Sequence, residues 1–459
     1  MKQLAADRFF RDQRVLQAKE LILSCLKERQ KELDGIRPPD KQLSLSYEEM
    51  IRSFSDMRAG ELFYPYIGSG LGRGALVELA DGSVKYDFIS GIGVHFLGHS
   101  HPDLIEACLD AALSDTVMEG NLQQNREAFT LTKLLLDLSG MEHCFLSSTG
   151  VMANENGLKL AFHRNRPANR LLAFEGCFFG RTVAAAHITD KAAYREGIPT
   201  SVLVDYLPFY DPERPAESTE RAVRALKRLI ERYPGGHAVM CFELVQGENG
   251  FRVGSSGFFK ALMAILREKR IAILIDEVQT FGRTHELFAF RHFGLEEYAD
   301  IVTVGKLSQA CATLFRSEYA PQAKILSQTF TAASSAIRAS VALLRRLKEG
   351  DCFGPEGKNA RLHKLFAERL GQLASSYPAW VEGPFGIGAM IAFTPFGGEA
   401  KLASLLAKEL FDRGVISFIA GSKVSRIRFL IPSPVLREEE VEEAMKLLEE
   451  ALLKVGNTL

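Results

Sequence analysis

Short apolar segments alternate with amphipathic segments through the middle of the chain. Apolar residues at helical spacing predict helices over residues 125–139, 154–164, 219–233 and 256–269. Short buried strands are predicted where the chain is almost continuously apolar, at 171–174, 238–244, 271–275 and 301–304. Such strands, separated by helices, are typical of a mainly parallel sheet that is covered on both faces. The pattern therefore predicts an α/β fold.

The two ends of the chain follow other patterns. Residues 10–33 have helical spacing, residues 34–45 are polar and predict a linker, and the glycine-rich stretch 68–74 predicts a loop. That stretch does not match GxGxxG, because its third glycine is misplaced. Beyond residue 350 the spacing predicts a smaller α+β domain, with helices and strands at 358–375, 400–413, 438–455, 387–393 and 426–430.

Composition narrows the class of protein. With 459 residues, 46% of them hydrophobic and 25% charged, the chain is long enough for two or three domains with full cores. The net charge of -1 gives no electrostatic reason to expect nucleic acid or an anionic membrane as partner. No apolar run approaches the length of a membrane span, and the charged start does not predict a secretory signal. Seven scattered cysteines without a CxxC pair indicate a reduced, cytoplasmic protein with no metal site.

The strongest chemical signal is the run at 271–279, where an apolar strand ends in two carboxylates, Asp276 and Glu277. Parallel sheets bind ligands at this end of their strands. A nucleotide hydrolase would also need the phosphate loop GxxxxGK[ST]. The one candidate, at Gly305-Lys306, lacks both the first glycine and the Ser or Thr. The nucleotide-binding hypothesis therefore fails.

Lys306 offers another interpretation, because it follows the apolar strand 301–304. A lysine in a partly desolvated site is more easily kept neutral and nucleophilic. A lysine that forms an imine and an Asp that holds a ring nitrogen protonated are what pyridoxal phosphate chemistry requires. Taken alone, Lys306 would fit an ordinary helix cap equally well, and Asp276 would fit a buried turn.

Eight segments in order favour the first interpretation. The chain resembles the class III aminotransferases, fold-type-I pyridoxal-phosphate enzymes that act on ornithine, acetylornithine, 4-aminobutyrate or lysine. The resemblance runs from residue 81 to 451, in the segments 81–102, 148–161, 178–182, 242–250, 274–284, 299–306, 328–330 and 427–434. It implies a large cofactor-binding domain over 90–345 with a mainly parallel seven-stranded sheet. A smaller α+β domain would comprise 346–459 and part of 1–89, which begins with a helical segment.

The resemblance also implies a site. Lys306 and Asp276 would be catalytic, and pyridoxal 5'-phosphate would be the cofactor. Gly150 and Val151 at a helix start would bind its phosphate, as free backbone N–H groups there suit an anion. Thr329 would reach the phosphate from the neighbouring subunit, which implies a homodimer with shared sites. The remaining residues would hold the ring of the cofactor. Phe178 and Val278 would cover its two faces, Gln279 would donate to its phenolic oxygen, and Glu243 would support these residues.

Three charged residues would bind substrate. The resemblance assigns Arg181 to the distal carboxylate of glutamate or 2-oxoglutarate, and Arg428 to the α-carboxylate. Bidentate guanidinium–carboxylate pairing explains why arginine is used. Glu248 would pair with Arg428 while an ω-amine is bound, and release it for 2-oxoglutarate.

The implied activity is a ping-pong transfer of an amino group from an ω-amine to 2-oxoglutarate. Departures from the family pattern include Met152, Leu244 and Phe179, and they leave the donor open. The segment 307–311, which contains Gln and Cys, is most similar to lysine 6-aminotransferases. The alternatives are an aminomutase, a decarboxylation-coupled enzyme of the same scaffold, and a cofactor-binding homologue without turnover.

Overall fold

A computed structural model of the chain describes residues 4–115, 120–322, 324–421 and 423–458. Its helices begin at polar caps where the sequence offers them; Asn125, for example, accepts a hydrogen bond from the amide of Ala128. The helices are α1 (Ala5–Phe10), α2 (Gln13–Gln30), α3 (Lys41–Met57), α4 (Ser90–Gly93), α5 (Pro102–Ala112), α6 (Arg126–Ser139), α7 (Gly150–Arg164), α8 (Val183–Ile188), α9 (Pro215–Arg232), α10 (Ser256–Glu268), α11 (Ala289–His292), α12 (Ser334–Glu349), α13 (Lys358–Ser376), α14 (Ala400–Arg413) and α15 (Glu438–Gly456).

Most strands are short and buried, as the apolar runs predict. The strands are β1 (Gly68–Arg73), β2 (Leu76–Leu79), β3 (Val84–Asp87), β4 (His143–Ser147), β5 (Arg170–Phe174), β6 (Leu203–Leu207), β7 (His237–Glu243), β8 (Val245–Gln246), β9 (Arg252–Val253), β10 (Ala272–Glu277), β11 (Ile301–Val304), β12 (Cys311–Phe315), β13 (Val381–Ile387), β14 (Met390–Pro395), β15 (Val415–Ile416), β16 (Phe418–Ala420) and β17 (Arg426–Leu430).

The central sheet has seven strands in the order β4-β12-β11-β10-β7-β5-β6. Strand β12 runs antiparallel to both of its neighbours, and the other pairings are parallel. The mainly parallel seven-stranded sheet is therefore confirmed. Its central strands β7, β10 and β11 are buried along their whole length, so helices cover both faces.

Among the described residues, two four-stranded sheets and the two-stranded pair β8–β9 lie outside the central sheet. Strands β13, β14, β17 and β16 form an antiparallel sheet, while β1, β2 and β3 are joined by β15 from the C-terminal part of the chain. The parallel pairing of β3 with β15 ties residues 84–87 to residues 415–416. This pairing fits the assignment of part of 1–89 to the smaller domain. The boundaries at 89/90 and 345/346 stay a prediction.

Five local predictions were wrong. The glycine-rich stretch 68–74 is not a loop, because β1 pairs with β2 through backbone groups that need no side chains. The polar segment 34–45 is not wholly a linker, since α3 begins at Lys41 behind the Asp40 cap. The strand predicted over 387–393 is two strands, β13 and β14, which meet at a turn. Helices α7 and α9 begin at Gly150 and Pro215, each four residues earlier than predicted.

Among the described residues, no helix combines the length and the apolar character that crossing a lipid bilayer demands.

Candidate active site

The carboxyl ends of three neighbouring strands bring the predicted catalytic residues together. Asp276 near the end of β10 lies in register with Glu243 on β7 and with Thr303 on β11. Lys306 follows β11 after a single glycine. Side chains that end adjacent parallel strands emerge at one edge of the sheet, where α/β folds bind ligands.

Lys306 lies in surroundings that disfavour its charged form. Burial lowers the pKa of its amine to about 8, and the Arg428 guanidinium acts in the same direction, whereas Glu248 opposes the shift. The residue has a φ of 52°, a left-handed conformation that is uncommon for a side chain of this size. Strained backbone of this kind clusters at functional sites. The amine is thus held partly neutral at a fixed position.

Asp276 is buried, and both of its oxygens have protein donors. Oδ1 accepts from the Val278 amide at 2.9 Å, and Oδ2 accepts from Asn154 Nδ2 at 2.7 Å. Burial raises the pKa of Asp276 to about 6, although these hydrogen bonds and Lys306 act against the rise. The carboxylate is therefore fixed in orientation and remains charged over most of the physiological pH range.

Asn154 and Thr303 are functional-site residues that sequence reasoning missed. Asn154 Nδ2 also donates to the Phe179 carbonyl at 3.0 Å, and its Oδ1 accepts from Thr303 Oγ1 at 2.6 Å. Both side chains are buried. Each of the two is a polar residue at an inward-facing position of its element. A buried amide or hydroxyl needs a hydrogen-bond partner, so this position is the signal that could have identified them. Their partner is the network that orients Asp276.

Helix α7 points its N-terminus at this edge. Thr149 caps it by accepting from the Met152 amide, which leaves the amides of Gly150 and Val151 as the first of the helix. A Cβ on Gly150 would come within 2.6 Å of Val278, and one on Gly305 within 3.1 Å of the same side chain. The two glycines thus let the helix start and the lysine-bearing turn close around Val278.

Glu243 serves the local backbone. Its two oxygens accept from the amides of Phe178 and Gly247, each at 2.9 Å. Burial and the nearby Asp276 carboxylate raise the pKa of Glu243 to about 8. The side chain therefore fixes the loop that carries Phe178, a partly buried ring whose edge faces Tyr194 with centroids 6.4 Å apart.

Arg428 and Glu248 form an ion pair at the same edge, with Nη2 and Oε1 2.6 Å apart. Arg428 is completely buried, and its Nη1 donates to the Gly247 carbonyl at 2.9 Å and lies 3.5 Å from Gln279 Oε1. Burial would raise the pKa of Glu248, but Arg428 and then Lys306 lower it. Four predicted residues, Lys306, Glu248, Arg428 and Gln279, thus interact in one cluster.

Two predicted residues lie apart from this cluster. Arg181 is exposed and stacks its guanidinium 3.5 Å from the centre of the Tyr194 ring. Thr329 is exposed in a segment that meets the chain near Gly120, and no described contact joins it to Lys306. The segment also meets the loop before α7, since Ser148 Oγ donates to the Phe330 carbonyl at 2.8 Å.

Arg283 is a further residue that the sequence analysis did not single out. It is wholly buried, donates to the Gly93 carbonyl at 2.5 Å, and has no described partner for its Nε. Burial lowers its pKa to about 9. It contributes to the low pKa of Lys306, so the amine has two buried guanidinium groups near it.

The family follows from the comparison with known proteins. The model of the class III aminotransferases matches residues 66–452, and the chain belongs to this family. It is 30% identical over 395 residues to the acetylornithine aminotransferase of Bacillus subtilis, covering 83% of this chain and 93% of that protein. The corresponding figures for the acetylornithine aminotransferase of Methanocaldococcus jannaschii are 29% over 404 residues, 84% and 93%.

Solved structures share the fold. The lysine aminotransferase of M. tuberculosis superposes with a TM-score of 0.78 at 23% identity, covering 88% of this chain and 99% of that one. The ornithine aminotransferase of Toxoplasma gondii ME49 gives 0.77 at 22%, with coverage of 90% and 96%. The chain is thus an aminotransferase, and the resemblance seen in the sequence is confirmed.

Enzymes of this class use pyridoxal 5'-phosphate, and the cluster fits that cofactor. A helix N-terminus with a glycine at its first position can take the phosphate dianion. Because Gly150 and Gly305 have no side chain, the helix start and the lysine-bearing turn can both lie against Val278. A partly neutral lysine amine lies beside a buried carboxylate that can hold a ring nitrogen protonated.

Proposed function

We propose that the chain moves the amino group of an ω-amine, such as that of a diamino acid, to 2-oxoglutarate by a ping-pong mechanism. The observation that carries this proposal is the Arg428–Glu248 ion pair near Lys306. The reacting carbon of an ω-amine carries no carboxylate, so Arg428 can stay paired with Glu248 while this substrate is bound. 2-Oxoglutarate has one there, and Glu248 would swing away to free Arg428 for it.

Lys306 and Asp276 would carry the chemistry. Bound pyridoxal phosphate supplies an electron-withdrawing ring that stabilises negative charge on the substrate carbon. The Lys306 amine would take the proton from that carbon and return it during transfer, since a pKa of about 8 leaves part of the amine neutral and able to act as a general base. Asp276, oriented by Asn154, would hold a proton on the ring nitrogen.

The other residues would position cofactor and substrate. Gly150 and Val151 would bind the phosphate, together with Thr329 of the partner subunit in a homodimer. Arg181 would bind the distal carboxylate of the dicarboxylic substrate. Phe178, Val278 and Gln279 would hold the ring of the cofactor. Glu243 and Asp276 fix the loops that carry these three residues.

The test follows each half-reaction by absorbance, with one substrate at a time. Terminal amines should discharge the cofactor's aldehyde form without any keto acid, and 2-oxoglutarate should then restore it faster than pyruvate. Borohydride reduction followed by peptide mapping should place the label on Lys306. Arg181→Ala should slow the 2-oxoglutarate half about fivefold, because an ion pair with an exposed guanidinium is worth about 1 kcal/mol.

Matched variants decide between the outcomes. Arg181→Ala should leave the half-reaction of an amine without a second carboxylate nearly unchanged, and Glu248→Ala should shift donor preference toward glutamate. Discharge that requires both substrates together would contradict the ping-pong mechanism. Equal losses in both halves for Arg181→Ala would remove that residue from substrate binding.

A further inference from the structure

A second cation shares the aromatic ring on which Arg181 lies. Lys191 precedes the short turn Ala192–Tyr194, and its Nζ donates to the Tyr194 hydroxyl at 3.2 Å and lies 4.6 Å from the ring centre. The Arg181 guanidinium is 3.5 Å from the same centre. The two cations are therefore no farther apart than the sum of these two distances.

Neither cation is paired with a carboxylate within the described ranges. No ion pair there includes Arg181 or Lys191, whereas other surface arginines, such as Arg164, Arg224 and Arg361, each have one. The π face of Tyr194 attracts both groups and offsets part of their mutual repulsion. Two close, unpaired positive charges on a rigid platform are a site for an anion.

Lys191 also faces the reaction centre. Burial would raise the pKa of Glu248, yet Arg428 lowers it, followed by Lys306 and Lys191. Lys191 is thus close enough to act on the carboxylate that pairs with Arg428. The ring of Phe178 makes an edge contact with Tyr194, with the ring centroids 6.4 Å apart.

We propose that Lys191, held on Tyr194, is a second cation for the distal carboxylate of the substrate and selects against an ammonium group beside that carboxylate. This inference rests on the proposed function, because it assumes that Arg181 binds the distal carboxylate. Two positive charges attract the carboxylate, and both repel an adjacent ammonium. Donors with no amino group, or with an acylated amino group, on the carbon next to the distal carboxylate are therefore favoured over diamino acids with a free α-amine.

The experiment uses the cofactor-loaded enzyme and the variant Lys191→Met, which keeps most of the side-chain length and removes the charge. Four donors separate the effects: an ω-amino acid, a diamino acid, its Nα-acylated form, and an alkylamine without a carboxylate. We expect KM for the ω-amino acid and the acylated donor to rise about three- to tenfold at unchanged kcat, because partly exposed ion pairs are modest. The preference for acylated over free donor should shrink, and the alkylamine should be unaffected.

Further variants keep the result interpretable. Lys191→Arg should restore the wild-type pattern, Tyr194→Leu should reproduce that of Lys191→Met, and Lys401→Met on the exposed face of α14 should change nothing. An equal loss with all four donors, or no change for any, would overturn the proposal. Glutarate binding by calorimetry gives a readout without turnover. Weaker binding in Lys191→Met would support the two-cation site even if no donor reacted, an outcome in which only the proposed function fails.

Discussion

At the residue scale, one physical cause governs both catalytic candidates. Burial raises the pKa of Asp276 to about 6 and lowers that of Lys306 to about 8. The hydrogen bonds from Asn154 and Val278 keep the Asp276 pKa from rising further. At neutral pH the carboxylate is then largely charged while a useful fraction of the amine is neutral. Titratable groups tuned in this way are characteristic of functional sites.

The pKa of Lys306 can be measured in protein stripped of cofactor. Trace acylation at a series of pH values, with peptide mapping, should show Lys306 half neutral near pH 8, well below the value of about 10.4 for a lysine in a model peptide. Glu248→Gln should move the Lys306 midpoint lower, because the Glu248 charge favours the ammonium form. A Lys306 midpoint like that of a model-peptide lysine, or an upward shift in Glu248→Gln, would contradict the buried, cation-rich environment.

At the element scale, the start of helix α7 depends on the absence of a side chain at Gly150. A Cβ there would lie 2.6 Å from Val278 Cγ1, and a branched side chain in a packed site has little room to move. Gly150→Ala should weaken cofactor binding about tenfold or more, as overpacking costs about 1–3 kcal/mol. Equilibrium dialysis against pyridoxal phosphate measures this loss.

Gly257 provides the matched control in the first turn of α10. A Cβ at that position would meet nothing within 4 Å. Gly257→Ala should therefore leave cofactor affinity unchanged and raise stability by up to about 1 kcal/mol, because alanine is the better helix former. If both alanine variants bound the cofactor like the wild type, the close approach of α7 to Val278 would not matter for the site.

Helices and strands were predictable where burial produces a regular pattern of apolar positions. Strands β10 and β11 and helix α10 were identified from apolar runs because both faces of a strand, or one face of a helix, must be covered. Strand β1 was missed, since Gly68–Arg73 has three glycines and is exposed over most of its length. Its pairing with β2 rests on backbone groups, which leave no mark in the side-chain pattern.

At the scale of the whole molecule, the position of Thr329 makes subunit assembly testable. We expect chains with Lys306→Ala, mixed and refolded with Thr329→Ala chains, to recover cofactor binding and activity at limiting pyridoxal phosphate. Each hybrid dimer would have one intact site if sites are shared, about a quarter of all sites under random pairing. Activity is measured against each variant alone.

A mixture of Lys306→Ala with Asp276→Asn chains is the control. These two residues meet within one chain, so each site of the hybrid would lack one of them and no activity should return. Recovery in this control would mean that mixing the chains restores activity by a route other than combining intact residues of two chains in one site. A lack of recovery in the Lys306→Ala and Thr329→Ala mixture would show that Thr329 serves the site of its own chain or none.

The sequence by itself determined the α/β class, the central strands and the two strand-end residues Asp276 and Lys306. It could do so because buried strands and the polar residues that end them are local features of the chain. Only the tertiary structure decided which distant side chains share the site. The Asn154–Asp276 hydrogen bond and the meeting of Lys191 with Arg181 on Tyr194 depend on how the elements pack. Periodicity records whether a residue is buried, but it does not record which partner satisfies its charge or hydrogen bond.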